Sequence, residues 1–148
     1  MQEGFSGFSG IPWIASSAWA YPALEVVHVV GIALLLGNLV LVELRVWGRG
    51  REVPLLALAR LALPLSLAGF GLIAMSGLLL FAANPGDMLA NRVFILKMSL
   101  IGLAGTNAGL FHARGGLLRA DALARAQTAL SLALWLAIIV CGRWIAYN

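Results

Sequence analysis

Read for apolar runs, the chain alternates four long oily stretches with short polar breaks. The stretches lie at about 21–47, 55–83, 91–113 and 127–147. Each reaches the roughly 20 residues that a helix rising about 1.5 Å per residue needs to cross a hydrocarbon core of about 30 Å. The breaks carry turn and charge signals: Gly48 to Glu52 in the first, Asn84, Pro85, Gly86 and Asp87 in the second, and Arg114, Gly115 and Gly116 through Asp121 and Arg125 in the third. Connections this short make consecutive helices antiparallel neighbours. The pattern therefore predicts an all-α fold, an integral membrane up-down four-helix bundle forming one membrane domain over residues 1–148. Ahead of it, Phe5, Phe8, Trp13, Ile14 and Trp19 interleave with Gly and Ser, which predicts a short N-terminal interfacial segment. The opening Met1-Gln2-Glu3 lacks the basic region of a signal peptide, so this segment is expected to stay on the protein.

Composition sharpens the class. Of 148 residues, 61% are hydrophobic and 11% charged, with mean hydropathy +0.95, against about 25% charged in a typical soluble domain. A soluble globule and a disordered chain are both excluded, and the one cysteine, Cys141, excludes a disulfide scaffold. The net charge of +4 comes from ten basic residues spread along an oily chain, which fits loops facing an anionic bilayer surface and no nucleic-acid partner. Arg45, Arg49 and Arg51 flank the first loop and Arg114, Arg119 and Arg125 the third, whereas the second offers Asp87 and Arg92 and the N-terminus Glu3. The positive-inside rule then places both termini outside the cytoplasm. Trp13, Trp19, Tyr21, Trp144 and Tyr147 would form an outer aromatic belt. Gly105 and Gly109 stand at GxxxG spacing, which predicts close helix packing within the bundle.

Ionisable residues at membrane depth carry the functional signal, each costing about 2.5 to 3.5 kcal/mol near the bilayer centre. Glu25 and His28 stand on the first span, Lys97 on the third and Arg143 on the fourth. Counting inward from Tyr21 and Asn91 puts His28 about 10 Å and Lys97 about 9 Å deep, so the two are level. Arg143 and Glu25 each lie about 6 Å inside their boundaries, and Glu25 shares a helix face with His28 at i, i+3. An outer cluster of one carboxylate, one imidazole and two cations is geometrically allowed. Snorkelling of Lys97 and Arg143, and pairing of Glu25 with either, are the plainer uses of the same residues. His112 falls roughly 31 Å down, about 20 Å from His28 along the normal. Two imidazoles on one metal must approach within about 4 Å, so His28 and His112 are not expected to share one within a chain. Met75, Met98 and Cys141 are soft donors in the outer half and with His28 allow a copper(I) site as an alternative.

The run Trp19-Ala20-Tyr21-Pro22-Ala23-Leu24-Glu25 through His28 and Gly31, with Leu44-Arg45 at the helix end, resembles a group of short bacterial four-helix membrane proteins. Phe94 through Lys97, Asn107 with Phe111-His112, and the ending Gly142-Arg143-Trp144-Ile145-Ala146-Tyr147 extend the likeness over most of the chain. More distantly, the chain is similar to the four-helix bacterial protoporphyrinogen oxidase and to the copper resistance protein D membrane domain. In the oxidase family a first-helix histidine and a later lysine are tied to haem binding and activity, and His28 and Lys97 match that pair in order. Where that family carries an aromatic and basic run, this chain has Leu41-Val42-Glu43-Leu44-Arg45.

The resemblance implies a multi-pass protein of the bacterial cytoplasmic (inner) membrane that binds haem b and has a redox or haem-linked role. His28 would be the axial ligand, with Lys97 or Met98 as a second ligand. Arg143 and Lys97 would neutralise propionates, and Glu25 would orient the imidazole. A copper-handling or small-solute transport protein and a cofactor-free assembly subunit remain alternatives. A homo-oligomer or a redox partner is compatible with each.

Overall fold

A computed structural model describes residues 12–147 and is helical throughout, with short connections. In chain order the elements are α1 (Pro12–Ser16), α2 (Ala20–Val46), α3 (Leu55–Ala83), α4 (Pro85–Ala90), α5 (Arg92–Ala113), α6 (Gly116–Arg119) and α7 (Ala122–Ile145). The helices α2, α3, α5 and α7 are each long and apolar enough to cross a membrane. The first three begin and end within a residue or so of the hydropathy pattern. The last starts at Ala122 instead of 127, because Asp121 caps it: the carboxylate accepts from the Ala124 N–H at 2.9 Å and so holds the polar turn containing Arg125 in the helix. Asn91 caps α5 in the same way, accepting from Val93 N at 2.9 Å and Phe94 N at 3.4 Å.

The four spans pack as two hairpins. In the first, α2 and α3 approach so closely at Gly31 and Gly69 that a Cβ on Gly69 would lie 2.7 Å from the Gly31 carbonyl oxygen. Ser66 Oγ donates to the Leu35 carbonyl beside this crossing, at 3.1 Å. Lipid tails are as apolar as leucine, so such close backbone approach and interhelical hydrogen bonds, not apolar burial, hold membrane helices together. The second hairpin, α5 and α7, is tied by Asn107 Nδ2 donating to the Gln127 carbonyl at 2.8 Å and Asn91 Nδ2 to the Ile145 carbonyl at 3.2 Å. Between hairpins, Trp47 Nε1 donates to Thr128 Oγ1 at 2.7 Å, Phe70 meets Trp135 edge-on at 6.3 Å, and Phe81 stacks on Phe94 at 5.7 Å.

Two sequence expectations change here. Gly105 and Gly109 have open space where a Cβ would stand, so the close crossing is at Gly31 and Gly69 and not at the GxxxG pair. Ile14 of α1, expected to lie in the interface, is 1% exposed and tucked against the α2–α3 hairpin, while Trp13 and Trp19 stay outside. Phe5 and Phe8 lie outside the described residues. The tightest packing gathers at the end with the basic loops, where Val42, Val46, Ala62, Phe111 and Ala124 form the apolar core.

Candidate functional site

Near the end of the bundle where α2 begins and α7 ends, His28 points from α2 onto α3. Its Nδ1 lies 2.9 Å from Ser76 Oγ, and the ring lies against Gly77, where a Cβ would make ordinary contact with Cε1 at 3.5 Å. Ser76 Oγ also lies 2.6 Å from the Leu72 carbonyl and 3.3 Å from that of Ile73, acceptors open to its single hydroxyl proton. With that proton on a carbonyl, the contact with His28 is Nδ1–H donating to Oγ. In the neutral ring Nε2 then keeps its lone pair.

Lys97 reaches in from α5 onto α7, its Nζ 3.5 Å from where a Cβ on Gly142 would stand. The ammonium is within electrostatic reach of the His28 ring and of the buried Cys141 thiol. The α2 histidine and the α5 lysine thus belong to different hairpins.

The remaining outer residues are turned elsewhere. Arg143 is exposed, donates through Nη2 to the Tyr147 hydroxyl at 2.9 Å and stacks over that ring at 5.2 Å. Glu25 lies on the exposed face of α2, and among the described residues it forms no ion pair with Arg143. Ser76, not Glu25, meets the imidazole nitrogen, because His28 is rotated toward α3 and Glu25 away from it. Met98 is 45% exposed and Met75 68% exposed, so Lys97 is the inward side chain of its pair and the soft donors do not converge on Cys141. Among the described residues no group of three or more His, Cys, Asp or Glu side chains could hold a metal ion. His112 stands at the opposite end, edge-on to Phe111 at 5.2 Å.

That opposite end contains the residue the sequence did not single out. Glu43 is 2% exposed, and neither carboxylate oxygen has a hydrogen-bond partner. It faces a cavity of about 40 Å³ that is also lined by Asn107, His112, Gln127, Thr128 and Ser131. The Ser131 hydroxyl faces the carboxyl without completing a hydrogen bond. Below the cavity, Arg114 bonds Gln127 Oε1 through Nε at 2.9 Å and Asp121 through Nη2 at 2.8 Å. Glu43 was hidden by its place three residues from the end of α2, beside Arg45, where a carboxylate ordinarily reaches water.

Comparison with protein-family models, with curated proteins and with solved structures finds no match to this chain.

Proposed function

We propose that the chain is a haem b-binding protein of the bacterial cytoplasmic membrane with a redox or haem-linked role, His28 supplying the axial nitrogen. The observation that carries this reading is the hydrogen bonding of the imidazole. With the Ser76 proton on the Leu72 carbonyl, Oγ accepts from Nδ1, and in that tautomer the Nε2 lone pair is left for a ligand. Histidines that ligate metals commonly donate their other nitrogen in this manner, which fixes ring and tautomer. Lys97 adds a cation within electrostatic reach of that ring, and Arg143 adds another toward the same end. Either suits a porphyrin carboxylate, and Lys97 is also a candidate second ligand. Because His28 and Lys97 belong to different hairpins, a group held by both would bridge the two halves of the bundle. Haem b would supply the electron-transfer chemistry, while the protein sets polarity and access. Both termini are taken to lie outside the cytoplasm, where a redox partner or a second copy could approach.

An absorption spectrum of the detergent-purified protein tests the reading. A Soret band is expected in the wild type, lost in His28→Ala and retained in His112→Ala. Ser76→Ala is expected to weaken haem retention by about 10-fold or more, the usual scale for losing a partner that orients a ligand. Lys97→Met shifts the band if the amine is the second ligand and leaves it in place if the amine pairs with a carboxylate. A colourless wild type prepared with ample haem defeats the proposal.

A further inference from the structure

We propose that Glu43 and the cavity it faces form a reversible proton-binding site, which exchanges with water at the basic-loop end of the bundle through the side lined by His112 and Gln127. The inference is independent of the His28 site, which lies toward the other end.

The hydrogen bonding around the carboxyl points to a proton. An ionised carboxylate has two oxygens with about four acceptor positions to satisfy. Here both oxygens are buried and unbonded. None of the surrounding donors bonds them: one Asn107 Nδ2 proton goes to the Gln127 carbonyl at 2.8 Å, Trp47 Nε1 to Thr128 Oγ1 at 2.7 Å, and the Thr128 hydroxyl proton to the carbonyls of Ala124 or Arg125. Ser131 is the one cavity-lining hydroxyl left to donate among the described residues. A bare carboxylate is thus under-solvated by its own walls, and a group so placed takes up a proton instead of staying charged. The protonated form is better served, because its single O–H asks for one acceptor, which a cavity water can supply. A cavity of about 40 Å³ exceeds the roughly 10 to 15 Å³ that one water needs.

A metal ion fits this place poorly. The Arg114 guanidinium is bonded to Gln127 Oε1, which sets a fixed positive charge on a residue that lines the cavity. Hard divalent ions also require about six or more oxygens. Among the groups facing Glu43, α5 contributes one titratable side chain, His112. From α7 come the neutral Gln127, Thr128 and Ser131, and from α3 and α6 the apolar Leu63 and Leu117. Beyond them, Arg114 is bonded to Gln127 and paired with Asp121, and Arg45 follows two residues along α2. His112 lines the cavity and is exposed on its other side. An imidazole both accepts and releases protons, so it suits the passage. In the exchange an O–H bond forms on one Glu43 oxygen with a proton taken from water, by way of the imidazole or directly. The reverse step returns that proton and needs no other reactant.

Infrared difference spectroscopy on the whole protein in lipid nanodiscs tests the site. The expected result is a protonated-carboxyl C=O band that shifts in deuterium oxide and loses intensity as the pH is raised. The band should vanish in Glu43→Gln and persist in Glu25→Gln. His112→Ala, a change at an exposed position, should leave the band in place and slow its deuterium shift several-fold. This variant keeps the test valid even if Glu43→Gln does not fold. A Glu43 band that is invariant with pH, a deuterium shift indifferent to His112→Ala, or a band displaced by sodium but not by choline would each overturn the proposal. The last outcome would assign the cavity to a monovalent cation.

Discussion

A single hydroxyl decides what His28 can do. Ser76 is a mid-helix serine, and such residues commonly bond the carbonyl one turn back, as Asn38, Ser99 and Thr106 do in this chain. Its accepting role toward His28 arises only when α3 lies beside α2, and for that reason the serine carries no signal in the sequence. Asp121 is the opposite case, a loop residue whose two functions follow from local spacing. It caps α7 and pairs with Arg114. The hydrogen bond from the Arg114 guanidinium is the first cause that holds its carboxyl down at about 2, from the ordinary 3.8, and the Ala124 N–H adds to it. Since the folded value is depressed, the stabilising contribution is complete above about pH 4 and is lost as the pH falls through about 2. The group is exposed, so the effect should be modest and should shrink in high salt. Thermal melts of wild type and Asp121→Asn are expected to differ at neutral pH and to converge toward about pH 2. The cap acceptor survives in the asparagine, which isolates the charge. Curves that stay parallel through that range would remove the ion pair from the account.

At the scale of elements, hydropathy located all four spans but could not say which way each helix faces. A helix that is apolar all round offers no stripe to orient it. Lys97, Glu43 and Gly31 were therefore visible as residues and invisible as neighbours. The boundary missed, the start of α7, lies where a polar first turn is held by its cap and not by the membrane. Helix facing is also where Gly105 and Gly109 misled, because spacing alone does not tell an open glycine from a packed one. The contrast gives a direct test. A Cβ on Gly69 would meet two backbone atoms of α2, the Gly31 oxygen and the Leu35 nitrogen, both at 2.7 Å. Backbone cannot yield as a flexible side chain can, so Gly69→Ala must spread the hairpin, at a cost of about 1 to 3 kcal/mol. Gly105→Ala meets nothing within 4 Å and should be neutral or stabilising by up to about 1 kcal/mol through helix propensity. Unfolding of the two variants in the same detergent measures both. A destabilised Gly105→Ala would mean that α5 packs against a second copy through this face.

At the scale of the whole molecule the two ends differ in kind. One end holds the apolar core, the Arg114–Asp121 pair and the Glu43 cavity, and the other, where α2 begins and α7 ends, holds His28 and Lys97. Charge follows the same division. Of the ten basic residues, Arg45, Arg49, Arg51, Arg60, Arg114, Arg119 and Arg125 lie toward the packed end, Arg92 and Arg143 toward the other, and Lys97 is turned inside. Seven against two in short loops and flanking turns is the kind of asymmetry that sets membrane orientation, and from it the Glu43 end is expected to face the cytoplasm. Replacing Cys141 by serine and placing one cysteine at a time at the exposed Ser16, Glu52, Asp87 and Leu118 reads this orientation in intact cells. Leu118 is preferable to its neighbour Gly116, where a side chain would collide with the Phe111 ring at 2.5 Å. None of the four removes a basic residue, so the variants should not disturb the signal they report. An impermeant thiol reagent is expected to label Ser16→Cys and Asp87→Cys from outside, and Glu52→Cys and Leu118→Cys after lysis. The reverse pattern would turn the molecule over, opening the proton site outward and moving the His28 and Lys97 pair to the cytoplasmic half, where a haem-linked role would draw on cytoplasmic partners.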